Sequence, residues 1–157
     1  MSRRLVVAVA VVACLACLGG LISGLLPASA RAGEARPATL YKDPQCGCCT
    51  EYGRYLEANG FTVTVVDSTA EIDALHARYR VPAHLEGCHS TVIDGYVIEG
   101  HVPVAAINRL LAEKPSIPGL SLPGMPEGSP GMSGHKQGAF PIFVISDEVE
   151  PPLFAIE

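Results

Sequence analysis

Between residues 38 and 113 the apolar positions switch repeatedly between a two-residue and a helical spacing, and each switch marks an element. Ala38-Thr39-Leu40-Tyr41 is a short apolar run that stops at Lys42-Asp43-Pro44, which predicts a strand and a turn. From Thr50 to Asn59 the spacing is helical, with Tyr52, Tyr55 and Leu56 on one side and Asn59-Gly60 as the stop. Phe61 to Val66 is short and rich in β-branched residues, which predicts a buried strand. Ser68 and Glu71 stand at capping-box spacing and open a helix with Ile72, Leu75 and Tyr79 on one face. His76, between those positions, is expected to face solvent. An irregular stretch after Val81-Pro82 leads to Thr91-Val92-Ile93 and Tyr96-Val97-Ile98, which flank Asp94-Gly95 as a hairpin. Pro103 suits the first turn of a helix carrying Val104, Ile107, Leu110 and Leu111.

The resulting order, β-α-β-α-β-β-α, predicts an α/β domain of thioredoxin-like topology over residues 38–113. Beyond it the pattern breaks down. Lys114 to about Gly138 contains Pro115, Pro118, Pro123, Pro126 and Pro130, which excludes regular helix or a central strand. Leu120, Leu122, Met125 and Met132 are spaced through this Pro/Gly/Met-rich loop and suit packing onto the domain. Phe140 to Ile145 and Leu153 to Ile156 read as a C-terminal β-hairpin joined through Asp147-Glu148, so that residues 114–157 pack on the same domain.

The first thirty residues follow a different plan. Arg3 and Arg4 precede an apolar run from Leu5 to Leu26, and Pro27-Ala28-Ser29-Ala30 supplies small residues for cleavage. This predicts a signal peptide over residues 1–30, with an uncleaved inner-membrane anchor as the competing reading. Export places the protein in the periplasm and removes Cys14 and Cys17 from the chemistry. The chain is acidic, with a formal net charge of −5, and its leader contributes only positive charge. An acidic surface argues against nucleic acid as a partner and offers no basic patch for anionic lipid. Membrane contact is left to the N-terminal segment alone.

Chemistry concentrates in sulfur. Cys46-Gly47-Cys48-Cys49 falls between the first predicted strand and the first helix, where a helix N-terminus stabilises thiolates. Cys88 leads into the first hairpin strand, a segment that thioredoxin-like domains carry over the mouth of that helix. All four sulfurs are therefore expected to meet. Several uses remain open at this point. Two structural disulfides would leave awkward partners, because Cys48 and Cys49 are adjacent. Cys46 and Cys49 form the C-x-x-C of a thiol–disulfide oxidoreductase, a reading that leaves Cys48 unexplained. Zinc is a poor fit to C-x-C-C spacing, whereas Cu(I) favours thiolates, accepts two or three ligands and forms bridged clusters. His89 is a weaker candidate ligand, since strand alternation would turn it away from Cys88. His84 and His101 are weaker still, and His135 carries no signal. Met125 and Met132 could add thioethers for Cu(I), or simply pin the loop to the core.

Lys42-Asp43-Pro44-Gln45-Cys46-Gly47-Cys48-Cys49, Gly87-Cys88-His89-Ser90, the run from Asp94 to Pro103, and the segment from Gly119-Leu120 to Met132 together resemble the CopG-type family of periplasmic metal-binding proteins. The resemblance runs from about Ala38 to the C-terminus. It implies a thioredoxin-like domain in a Gram-negative cell envelope, associated with copper resistance. It further implies metal ligation by Cys46, Cys48, Cys49 and Cys88, with redox handling of Cu(I) and Cu(II) as an extension of that role. Copper ions are thus the expected partners, alongside other periplasmic copper-handling or redox proteins. The expectation is of a metal-binding protein rather than an enzyme, with a thiol–disulfide oxidoreductase using Cys46 and Cys49 as the alternative.

Overall fold

The computed structural model describes residues 35–157; the predicted leader, with Cys14 and Cys17, lies outside the described residues. Strand β1 (Arg36–Lys42) is the organising element. Its inward positions Ala38 and Leu40 are buried, and it pairs on both edges: parallel to β2 (Phe61–Asp67) and antiparallel to β3 (His89–Ile93). Helix α1 (Gly47–Ala58) makes the crossover from β1 to β2 and buries Cys49, Tyr52, Gly53 and Leu56, a helical stripe. Gly53 brings the helix close to the sheet, since a Cβ there would stand 3.2 Å from a Leu40 methyl.

Helix α2 (Thr69–Tyr79) opens as its sequence requires, with Ser68 Oγ accepting from Glu71 N at 3.3 Å. It buries Ile72 and Leu75, and a 3-10 turn at Ala83–Leu85 then leads into β3. Asp94 (φ 49°) and Gly95 (φ 86°) turn the chain into β4 (Tyr96–Gly100), both central residues having the positive φ of a tight hairpin. Helix α3 (Val104–Glu113) buries Val104, Ala106, Ile107, Leu110 and Leu111 in the main core. Three further strands follow: β5 (Gly119–Leu122), β6 (Pro141–Val144) and β7 (Leu153–Ile156). They complete one seven-stranded sheet of order β2-β1-β3-β4-β5-β6-β7.

Two expectations need correction. The first is β2, which is an edge strand with mostly exposed or half-exposed residues rather than a buried one. Its threonines and valines satisfy a pleated surface without needing burial on both faces. The second is the exclusion of a central strand from the proline-rich segment. β5 lies within it, all four residues buried, paired parallel to β4 and antiparallel to β6. Pro118 and Pro123 flank these residues and leave every N–H between them free to donate. Gly119 is obligatory, because a Cβ would meet Val97 O at 1.7 Å. Among the described residues, no helix is long and apolar enough to cross a membrane.

Candidate metal centre

The loop from β1 to α1 is shaped by Asp43. Its backbone carbonyl accepts from Cys46 N at 3.0 Å, its Oδ1 accepts from Gln45 N at 2.8 Å, and its Oδ2 accepts from Thr69 Oγ1 at 3.0 Å. These bonds fold the chain tightly around Pro44 and tie the turn to the start of α2. Cys46 then caps α1, its Sγ accepting from Cys49 N at 3.3 Å. A sulfur thus sits where unpaired N–H groups and the helix dipole favour negative charge. Cys46 and Cys49 are joined by a disulfide, their Cα atoms 5.4 Å apart, while Cys48 and Cys88 are free thiols. Cys48 Sγ lies 3.5 Å from Cys46 Sγ.

Cys88 arrives through strand register. Lys42 pairs with His89, so the residue preceding β3 stands beside the loop that leaves β1. Two glycines allow the close approach. A Cβ on Gly87 would meet Gly100 N at 2.4 Å, and Gly100 has φ +68°. Gly87 N also donates to Glu99 Oε2 at 3.1 Å. The result brings Cys88 Sγ to 3.5 Å from Cys49 Sγ, and the four sulfurs of Cys46, Cys48, Cys49 and Cys88 all lie within 4.8 Å of one another. Burial, and then the neighbouring Cys48, push the Cys88 thiol up to about 12.

Two histidines join the site against expectation. His89 does not turn away from the sulfurs: it is fully buried, with Nδ1 at 3.5 Å from Cys88 Sγ. The alternation argument failed because Cys88 precedes β3 and is not bound by its pleat. His101, ranked below His89 as a candidate, stands equally close. It is fully buried, with Nε2 at 3.7 Å from Cys88 Sγ and Nδ1 donating to Pro130 O at 2.7 Å. A sequence signal for it existed in the hairpin. Ser90 pairs with Glu99 across the Asp94-Gly95 turn, and the same symmetry extended by two residues sets His101 opposite Cys88. Both rings pack on Tyr52, whose centroid lies 4.6 Å from that of His89 and 5.5 Å from that of His101. Tyr52 OH in turn donates to Val102 O at 2.8 Å. Burial, then the neighbouring His101, lower His89 to about 3, and burial also lowers His101. Both imidazoles are therefore neutral at neutral pH, with lone pairs available.

A third histidine also departs from its predicted role. His76 is not solvent-facing; its Nε2 lies 3.1 Å from Oε2 of the fully buried Glu99 and 3.3 Å from Ser90 Oγ. The hydrogen bond to Glu99 raises its pKa, outweighing burial. His84 and His135 are exposed.

The proline-rich loop reaches the first turn of α1. A Cβ on Gly131 (φ +82°) would stand 2.6 Å from Tyr52 N and 3.0 Å from Cys48 O, so the backbone there lies directly on the helix. Of the candidate thioethers, Met132 follows this contact and is half-buried, while Met125 is 44 % exposed. A groove of about 380 Å³, lined by Lys42, Arg54, Glu57 and Asp67 among others, has none of the four cysteines in its lining.

Chemically, the four sulfurs gathered at the mouth of α1 can bind a soft ion when reduced and deprotonated, and two of them, Cys46 and Cys49, close to a disulfide. Residues 85–132, which hold Cys88, His89, His101 and Pro130, match the family model described as "Protein of unknown function, DUF411". No curated protein matches the chain. Two solved structures of the copper resistance protein CopG, forms 1 and 2, are 38% identical to it with TM-scores of 0.69. Each comparison covers 79% of this chain, and 98% and 99% of the respective CopG chains. At that identity and coverage, the chain belongs to the family of the copper resistance protein CopG.

Proposed function

We propose that this protein is an exported, periplasmic copper handler of thioredoxin-like fold, which binds one or several Cu(I) ions through the thiolates of Cys46, Cys48, Cys49 and Cys88. The observation that carries the reading is the convergence of those four sulfurs within 4.8 Å, from two segments forty residues apart. Thiolates select Cu(I), and sulfurs this close bridge several ions. The thioredoxin-like assignment is supported by the order β2-β1-β3-β4, with β1 and β2 parallel and β3 antiparallel to both neighbours. The copper assignment is supported by membership of the CopG family. The periplasmic assignment rests on the leader pattern of residues 1–30.

The disulfide between Cys46 and Cys49 supports a redox component. Two Cu(II) ions meeting these two thiolates would each take one electron, giving two Cu(I) and the disulfide. A purely thiol–disulfide oxidoreductase is the second reading, favoured by the same bond. It requires exchange with a model disulfide that is indifferent to Cys48→Ser.

Titration of reduced protein with Cu(I) against a competing chelator tests the first reading. At least one copper per chain is expected, with binding weakened at least tenfold by either Cys88→Ser or Cys48→Ser. Stoichiometry below one, or binding indifferent to both substitutions, contradicts it.

A further inference from the structure

Glu99 is a carboxylate that the copper reading does not use, and it is completely buried in the middle of the sheet. We propose that Glu99 is the positioning residue for Cys88: with His76 beside it, it grips the two residues ahead of that cysteine and fixes where its sulfur stands. The proposal rests on the four-cysteine reading above and goes beyond it to the means by which one of the sulfurs is delivered.

Strand pairing brings the chain near the mouth of α1 but stops short of Cys88. β3 begins at His89, and Ser90 with Glu99 is the last pair of the β3–β4 register. Gly87 and Cys88 lie beyond that ladder, and the buried backbone there needs another partner. Glu99 supplies it, since Gly87 N donates to Glu99 Oε2 at 3.1 Å. The same oxygen lies 3.1 Å from His76 Nε2. The other ring nitrogen, His76 Nδ1, stands 3.5 Å from Glu86 Oε1. Glu86 and Gly87, consecutive in the chain, are thus held by the two members of one imidazole–carboxylate pair. Glycine at 87 permits the approach, because a Cβ there would stand 3.2 Å from Glu99 C and closer still to Gly100.

Two other uses of the carboxylate fail. As a strut between α2 and the sheet it would need His76 alone, and neither Glu86 nor Gly87 would have to meet the pair. As an electrostatic activator of the thiol it has the wrong sign. Burial and then Cys48 raise the Cys88 pKa, and Glu99 adds to the rise, because a carboxylate opposes a thiolate beside it. Geometry is what remains. Glu99 Oε1 is buried without a hydrogen-bond partner, a costly state for a carboxylate oxygen. Its cross-strand neighbours Ser90 and Ser121 do not relieve it, since their hydroxyls turn to His76 Nε2 and Leu85 O. A side chain kept in that state beside the approach to a metal-binding cysteine fits the role of the outer partners that orient metal ligands.

Three measurements test this. In wild-type protein the Gly87 amide is expected to exchange as slowly as the amides of the β3–β4 ladder, although it lies outside it. In reduced, metal-free protein, Glu99→Ala is expected to speed alkylation of Cys88 about tenfold and leave Cys48 unchanged. Glu99→Gln, whose amide oxygen can still accept from Gly87 N, is expected to restore the slow rate. Cu(I) titration against a competing chelator should follow the same order, with Glu99→Ala weaker by about tenfold and Glu99→Gln close to wild type. Ile142→Ala, which weakens the main core from β6, is the control for lost stability and is expected to leave Cys88 alkylation and copper affinity as they are. Gly87 exchanging at the rate of an exposed loop, Cys88 reacting alike in wild type and Glu99→Ala, Glu99→Gln as impaired as Glu99→Ala, or Ile142→Ala matching Glu99→Ala each overturns the proposal. Wild-type protein that binds no Cu(I) contradicts the four-cysteine reading instead, and the exchange and alkylation measurements, made without metal, still decide the role of Glu99.

Discussion

Glu99 and His76 show how a buried charge is kept near the sulfurs. Glu99 is fully buried, and its Oε2 accepts from His76 and from Gly87 N, the residue that sets Cys88 in place. The pair therefore links α2 to the approach of Cys88. Since the hydrogen bond raises the His76 pKa, the folded state holds a proton that the unfolded chain has already released. The contribution of the pair is complete below about pH 6.5 and is lost as pH rises through the elevated folded value. Urea midpoints across this window should fall with rising pH, and His76→Gln should abolish that slope while lowering stability by about 3 kcal/mol, because Glu99 is left without a cation. A slope unchanged in the variant would assign it to another group. The residue scale is also where sequence reading succeeded and failed most clearly. Cys46, Cys48, Cys49 and Cys88 were legible because helix placement and strand order alone bring them together. His89 and His101 were not, because their burial depends on Tyr52 and on Pro130, which comes from a loop whose path no local pattern gives.

Among the elements, the proline-rich loop has the most specific task. Its backbone at Gly131 lies on the first turn of α1, one residue from the carbonyl that orients His101. Gly131→Ala adds a methyl 2.6 Å from Tyr52 N in a conformation that disfavours side chains. A loss of about 1–3 kcal/mol is expected, together with a shift in the His101 ring resonances as the Pro130 contact loosens. Unchanged His101 signals in a destabilised protein would mean that the loop does not position the ring. The strands show why pattern alone read some elements and missed others. The β3–β4 hairpin was legible from Asp94-Gly95, since positive φ at both residues leaves few other turns. β5 was hidden because prolines were read as breakers across the whole segment, although they bracket its four residues. β2 was read correctly as a strand but given the wrong place, since β-branched residues do not distinguish edge from centre.

For the whole molecule, one seven-stranded sheet runs from β2 to β7. β5 inserts beside β4, and β6 with β7 extends the same sheet, so residues 114–157 share a core with α3 and β4. Ile142, fully buried in β6, belongs to the cluster that also contains Leu40, Tyr52 and Ile98. Ile142→Ala should therefore cost about 2–5 kcal/mol and leave a single cooperative unfolding transition. Local loss of exchange protection over residues 140–157, with residues 36–113 unaffected, would show two separate units. In the proposed function the sheet matters because the β1–β3 register, with the Gly87–Gly100 approach, brings Cys88 to the mouth of α1. Alkylation of reduced protein with and without Cu(I), mapped by mass spectrometry, measures that claim directly. Copper is predicted to protect Cys46, Cys48, Cys49 and Cys88 together and to the same stoichiometric end point. Cys88 reacting at its metal-free rate while the other three are protected would contradict the account.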